Sequence, residues 1–368
     1  MPPPYRVPFV DYRRQYVELK AELDAAIQRT LGEGNLILRD DVSNFEEQLA
    51  NFIGVRHAVG LNSCTDALIF SLRAAGIGAG DEVITVAHTF VATIEAIVHA
   101  GATPVIVDVR DDYLMDMSAF EKAITPKTRA VIPVHLNGRV CDMQLCLAIA
   151  KKHKIVVIED AAQALGATVD GQRSGSFGLT ACFSFYPAKL LGAAGDAGAI
   201  CTNDPDIAHT VRLLRDHGRE GKTRHVSYGF TSRLDNLQAA VLNAKFPSVP
   251  KWIERRRELA RIYDTGLADV RGVHPAPLPD DRHCDVYQNY VVRAERRDEL
   301  AAHLRASGIE VIISNPIPVH MHPELGLTAF ALPVTTRLAA EVISLPLIPE
   351  LEHAQIDHVV STIRAFYA

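Results

Sequence analysis

Ile155-Val-Val-Ile-Glu-Asp-Ala-Ala-Gln163 is the run on which the architecture turns. Four consecutive apolar residues leave no polar face, which suits a strand covered on both sides, and two acids close the run. Similar short segments lie on either side of it: His57–Leu61, Glu82–Val86, Pro104–Val107, Ala130–His135, Ala181–Phe185 and Gly198–Thr202. Helical periodicity falls between them, over Thr65–Ala75, Val91–His99, Met117–Ile124 and Met143–Lys152. Alternation of this kind predicts an α/β domain built on a mainly parallel central sheet. Ligands in such folds sit beyond the carboxyl ends of the strands, and Asp160, Phe90 and the 186–198 loop all fall there.

The pattern changes after Pro247-Ser-Val-Pro250. A long charged helix over Trp252–Leu267 leads to a Pro/Asp-rich loop, Pro275–Arg282. Strand-like Val286–Val292, helix-like Asp298–Ala306, strand-like Ile309–Ile313 and a final helix near Ala354–Phe366 come after it. The expected organisation is an N-terminal segment, 1–30, packing with the small domain, then a large domain over 31–247 and a smaller C-terminal α+β domain over 248–368.

The chain has 368 residues, 48% of them apolar, enough for a large core and two domains. Its net charge of -6 and lack of a basic stretch argue against nucleic acid as a partner. Arg255-Arg-Arg257 reads as a solvated helix face. Met1-Pro-Pro-Pro-Tyr-Arg6 has no apolar signal core and no run of 18 apolar residues occurs, so no membrane partner is expected. Six cysteines (Cys64, Cys141, Cys146, Cys182, Cys201 and Cys284) without zinc-type spacing point to a reducing cytoplasm. His320-Met-His322 reads as loop histidines, so no metal site is expected.

Phe183-Ser-Phe-Tyr-Pro-Ala-Lys-Leu-Leu-Gly192 places Lys189 among apolar and small neighbours. Most lysines are solvated, but a desolvated amine loses basicity and becomes a nucleophile able to form a Schiff base. Asp160 has two readings: an N-cap for the Ala161–Leu165 segment, or a carboxylate under a pyridine nitrogen. With Gln163 and Lys189 at this spacing the second dominates, and the pair is what holds a pyridoxal cofactor. Asn62-Ser-Cys-Thr65 opens an apolar helix, where Ser63 and Thr65 either cap it or help to bind a phosphate. Phe90 either joins the core or stacks on a cofactor ring. Two near misses are rejected. Gly192–Gly198 lacks dinucleotide-binding spacing, and Gly218-Arg-Glu-Gly-Lys-Thr223 is too short between its glycines for a phosphate loop.

Taken in order, these motifs resemble the DegT/DnrJ/EryC1/StrS sugar aminotransferases, pyridoxal 5'-phosphate (PLP) enzymes of fold type I, like aspartate aminotransferase. The resemblance runs from Pro8-Phe-Val-Asp11 through Val86–Thr93, Gly195-Asp-Ala-Gly198, Ser232–Ala240 and Pro316–His320 to Ser344–Glu350. It implies that Lys189 carries the cofactor, with Asp160 at its ring nitrogen, Gln163 near the ring hydroxyl and Phe90 on the ring. Ser63, Cys64, Thr65 and Ser184 would surround the phosphate, and His88, Tyr186, Asn315 and His320 would face the substrate. It further implies glutamate as amino donor, a nucleotide-linked keto-sugar as acceptor, and a homodimer with shared active sites. An alternative within the family is a PLP-dependent dehydratase or aromatizing enzyme. The sugar dehydratases that resemble the chain carry histidine in place of Lys189. A non-catalytic cofactor-binding regulator would need a DNA-binding segment for which the chain has no spare length. Three positions depart from the family pattern. Cys64 stands where many members have Gly, Thr231 where they have an Asn reaching the partner's phosphate, and Ser314-Asn315 where many have His-Tyr.

Overall fold

The computed structural model describes residues 5–275 and 280–368. Residues 1–4 of the N-terminal stretch and 276–279 of the loop expected over Pro275–Arg282 lie outside the described residues. Helices α1 (Tyr12–Glu18), α2 (Lys20–Glu33) and α3 (Asp40–Ile53) lead into the alternating region. That region runs β1 (His57–Leu61), α4 (Cys64–Ala74), β2 (Glu82–Val86), α5 (Ala92–Ala100), β3 (Thr103–Val107), α6 (Met117–Ala123) and β4 (Thr128–Val131). It continues with α7 (Met143–His153), β5 (Val156–Asp160), β6 (Thr180–Ser184), β7 (Gly198–Thr202) and α8 (Pro205–Arg215). Next come α9 (Asn236–Lys245), α10 (Val249–Leu267), β8 (Val273–Pro275), β9 (Tyr290–Ala294), α11 (Arg297–Ala306), α12 (Pro333–Glu341), β10 (Val342–Leu345) and α13 (His353–Tyr367).

Strands β1 to β7 form one seven-stranded sheet in the order β1-β7-β6-β5-β4-β2-β3. Every neighbouring pair is parallel except those of β7, which runs antiparallel to both β1 and β6. The fold is therefore α/β with a mainly parallel central sheet, as expected. Apolar clusters cover both faces: Phe45, Phe120, Phe183 and Trp252 belong to one, Phe70, Ile97, Ile158 and Val211 to the other. β5 is the middle strand, buried from Val157 to Asp160, so its carboxyl end opens at the centre of the sheet's edge.

Side chains alternate across a strand, which gives the two acids opposite fates. Glu159 is fully buried and accepts from the backbone N–H groups of Gly175 (2.7 Å), Phe177 and Gly178 (both 2.8 Å). His135 Nδ1 accepts from Cys141 N, so its Nε2 carries the proton and donates to Glu159 at 3.0 Å. Glu159 is thus saturated as a structural anchor, and Asp160 faces the other way.

The second core joins α10, α11 and α13 to a three-stranded antiparallel sheet, β8-β9-β10, through Tyr263, Tyr290, Leu300, Ile343 and Ile356. The first thirty residues divide between the two cores. Val7 pairs with the 308–310 backbone and Phe9 N–H donates to Glu310, whereas α2 lies against α9.

Three expectations change. Ile309–Ile313 is not a strand but a segment making isolated bridges, Val7 to Ile309 and Ile312 to Ser344. Regular pairing in Val286–Val292 begins only at Tyr290, because Tyr287 takes a positive φ of 49° and Gln288 turns toward the large core. Arg255-Arg-Arg257 is not a solvated face throughout. Arg256 points inward, 4% exposed, and donates to the carbonyls of Tyr287, Gln288 and Leu347, while Arg255 and Arg257 stay at the surface.

Candidate active site

A cleft of about 530 Å3 opens at the carboxyl end of β5. Its lining includes Ser63, Cys64, Thr65, Phe90, Asp160, Gln163, Ser184, Tyr186 and Lys189. Nine of the residues singled out in the sequence, from four separate segments, therefore meet in one cavity.

Ser63 is the N-cap of α4, its Oγ accepting from Asp66 N at 3.1 Å. The capping reading of this residue is thus correct, and the binding reading is compatible with it. Cys64 and Thr65, at the start of an eleven-residue helix, line the cleft. Such a helix start attracts an anion. The approach is close: a Cβ on Gly198, at the start of β7, would lie 2.3 Å from the Ser63 carbonyl carbon. Cys64 is deeply desolvated, which pushes its thiol well above the usual range.

Lys189 is held by its neighbours rather than by its own side chain. Gln288 clamps the backbone on both sides, accepting from Leu190 N at 2.8 Å and donating to Ala188 O at 2.9 Å. Lys245 Nζ donates to Gly192 O and Gln238 accepts from Ala194 N, both at 2.8 Å. Burial lowers the Lys189 ammonium from the ordinary lysine value, with Cys64 and Asp160 opposing.

Asp160, 5% exposed, accepts from Thr93 Oγ1 at 2.8 Å and from Ala162 N at 3.2 Å. Burial raises its carboxyl above the ordinary value, and the Thr93 hydroxyl, the Ala162 N–H and Lys189 pull it back down. A buried carboxylate with lone pairs left over calls for a cationic N–H partner. Gln163 Oε1 accepts from Asn137 N at 2.7 Å, so its amide nitrogen is the end available to a ligand. Phe90 is 66% exposed, an aromatic face with no protein cover at the cleft wall. Together, an amine, a buried carboxylate, an open aromatic face and a helix start fit the carbonyl, ring nitrogen, ring face and phosphate of PLP.

Four expected residues do not line the cleft. His88 is buried and stacks on Tyr113, ring centroids 5.8 Å apart; beyond the end of β2, Ala87 and His88 are buried before Thr89 and Phe90 reach the cavity. His320 is buried beside a different cavity with Met321 and Phe330, and its Nδ1 has no partner among the described residues. Asn315 reaches the cleft indirectly, donating to the Thr89 carbonyl at 2.7 Å. Thr231 is exposed and bonds His217 Nε2 at 2.9 Å, outside this chain's own cleft.

Two contributors were not singled out in the sequence. Thr93 sits within the Val86–Thr93 run, and its i,i+4 spacing from Thr89 was the available signal. Gln288 has none, because it acts on a segment about a hundred residues earlier in the chain.

An α/β scaffold with a desolvated lysine opposite a buried carboxylate defines a PLP-type enzyme site. Comparison with known proteins agrees. The model of the DegT/DnrJ/EryC1/StrS aminotransferase family matches residues 17–364, and the chain belongs to that family. It is 44% identical over 364 residues to a dTDP-3-amino-3,4,6-trideoxy-alpha-D-glucose transaminase of Streptomyces venezuelae, covering 98% of this chain and 96% of the relative. It is 42% identical to a pleiotropic regulatory protein of Geobacillus stearothermophilus, covering 98% of each. The crystal structure of S. venezuelae DesV in complex with a ketimine intermediate superposes with a TM-score of 0.95 at 43% identity, covering 99% of each chain.

Proposed function

We propose that this chain is a PLP-dependent aminotransferase that moves an amino group from an amino acid, glutamate being the favoured donor, to a nucleotide-linked keto-sugar. The observation that carries this reading is the meeting of Lys189 and Asp160 in one cleft beside the α4 N-terminus. The naming of a 44% identical relative as a sugar-nucleotide transaminase supports the substrate class. When bound, PLP supplies a carbonyl that condenses with amines and a ring that accepts carbanion charge.

The residues divide the work. The N–H groups of Cys64 and Thr65 bind the phosphate, with Ser63 and Ser184 beside them. Phe90 offers its face to the ring. Asp160 would hold a proton on the ring nitrogen, and Gln163 would orient the ring hydroxyl. Lys189 would hold the cofactor, and its Nζ, an amine with lowered basicity, is suited to take the proton from the donor's Cα. Tyr186, exposed at the cleft wall, and Asn315, tied to the Thr89 carbonyl, stand on the substrate side. Thr231 reaches toward a neighbouring copy's site in a homodimer. Six free cysteines support a reducing, cytoplasmic setting, and no described helix is long and apolar enough to cross a membrane.

The test is spectroscopic and chemical. Purified protein should show a visible absorbance band that Lys189→Ala abolishes. It should also convert glutamate to 2-oxoglutarate in repeated turnovers only when a keto-sugar nucleotide is supplied, releasing no more than about one equivalent per site without it. A colourless wild type that fails to take up added PLP sinks the proposal. Consumption of the sugar without 2-oxoglutarate release would instead mark a dehydratase.

A further inference from the structure

Three hydroxyl and carboxyl groups in the wall of the cleft form a directed chain. Thr93 Oγ1 donates to Asp160 Oδ2 at 2.8 Å, and Thr89 Oγ1 lies 2.8 Å from Thr93 Oγ1. A hydroxyl has one proton. Thr93 has two acceptors in reach, Asp160 Oδ2 at 2.8 Å and the Phe90 carbonyl at 3.3 Å; the nearer, charged one takes its proton, so Thr89 is the donor to Thr93. Both threonines are buried, at 2% and 1% exposure. The segment that carries Thr89 is fastened from the small domain by Asn315, which donates to the Thr89 carbonyl. The other Asp160 oxygen receives the Ala162 N–H. Each oxygen is therefore met by one protein donor and keeps lone pairs toward the cavity.

We infer that Thr93, supplied by Thr89, is a positioning residue that holds Asp160 ionised and aimed at the cofactor's ring nitrogen. This rests on the proposed role of Asp160. The physical reason is that a buried carboxylate tends to take up a proton, and a hydroxyl donating to the charged form opposes that. Hydrogen bonds in a chain also polarise one another, which strengthens the last of them.

The experiment uses the PLP-loaded protein and three variants: Thr93→Val, which keeps shape and loses the donor, Thr93→Ser, which keeps the donor, and Thr89→Val, which leaves Asp160 untouched. The readouts are the pH titration of the cofactor's absorbance, the dissociation constant for PLP, and kcat and KM for the sugar. Losing a hydrogen bond to a charged group predicts that Thr93→Val binds PLP about tenfold more weakly and lowers kcat by about tenfold. Its KM should change by less than about twofold, because the lost contact does not touch the sugar. Asp160 then holds its proton to higher pH, so the acid limb of the titration moves upward. Thr93→Ser should restore the wild-type titration, and Thr89→Val should shift it in the same direction by less. A Thr93→Val protein with the wild-type titration overturns the inference, as does a Ser variant as impaired as the Val one. If Thr93→Val does not fold, an unchanged titration in Thr89→Val overturns it. A wild type that never binds PLP would instead overturn the function proposed above, so the two failures are distinguishable.

Discussion

At the scale of single residues, position on the backbone separates groups that composition treats alike. Glu159 and Asp160 are adjacent acids, yet the first is saturated by three backbone N–H groups and a histidine while the second keeps free lone pairs in a cavity. Two histidines expected at the substrate became buried packing groups. For His88 this has a consequence for pH. Burial pushes its pKa down to about 4, so the folded protein keeps it neutral where an unfolded chain, near 6.5, takes up a proton. Stability from this residue is complete above about pH 6.5 and declines as the pH falls toward 4, by about 3 kcal/mol. Urea unfolding as a function of pH checks it. His88→Phe, which keeps an aromatic on Tyr113 but cannot charge, should flatten this part of the profile. Parallel profiles for the two proteins would assign the acid sensitivity elsewhere.

At the scale of elements, the helices and strands that matter are tied by groups from distant segments. Helix α12 begins with Leu332 and Pro333, neither of which offers a side-chain cap. Asp108, just beyond β3, caps it instead, accepting from Val334 N and Thr335 N at 2.8 Å and from Thr335 Oγ1 at 2.7 Å. The cap therefore joins the end of β3 to a helix 226 residues further along the chain. Asp108→Ala should cost about 1.5 kcal/mol in chemical unfolding, and Asp108→Asn less, because its amide oxygen still accepts. Equal losses in the two variants would mean that the charge, not the cap, is what matters. The same principle explains the lysine loop, where Gln288 takes the backbone partners that a regular strand would have supplied.

At the scale of the whole molecule, the surface bears apolar side chains that neither core covers. Tyr12, Val17 and Phe230 are at least 39% exposed and Tyr228 is 99% exposed, the last two in the segment that carries Thr231. We expect light scattering to find a species of two chains at working concentrations. Mixing an inactive Lys189→Ala chain with an inactive Thr231→Ala chain should recover part of the activity, because every hybrid of the two contains one intact site. A fully active single-chain species would refute the shared site.

The alternation of apolar runs and amphipathic segments up to residue 202 was enough for the α/β class, the parallel sheet and the strand end that carries Asp160. Those features arise from local periodicity, which each segment expresses without reference to the rest. The lysine, the carboxylate, the helix start and Phe90 each had a plainer reading alone; their order along the chain and the family resemblance were what pointed to a shared site. The inward turn of Arg256, the burial of His88 and His320, the clamp by Gln288, the cap from Asp108 and the Thr89–Thr93–Asp160 chain were not. Each joins segments that only folding brings together, or depends on which side of an element faces the core. Sequence by itself determined which chemical groups this protein brings to its site. Tertiary structure alone decided which are desolvated, which are already satisfied and which remain free to act, because burial and hydrogen-bond partnership are properties of the packed chain.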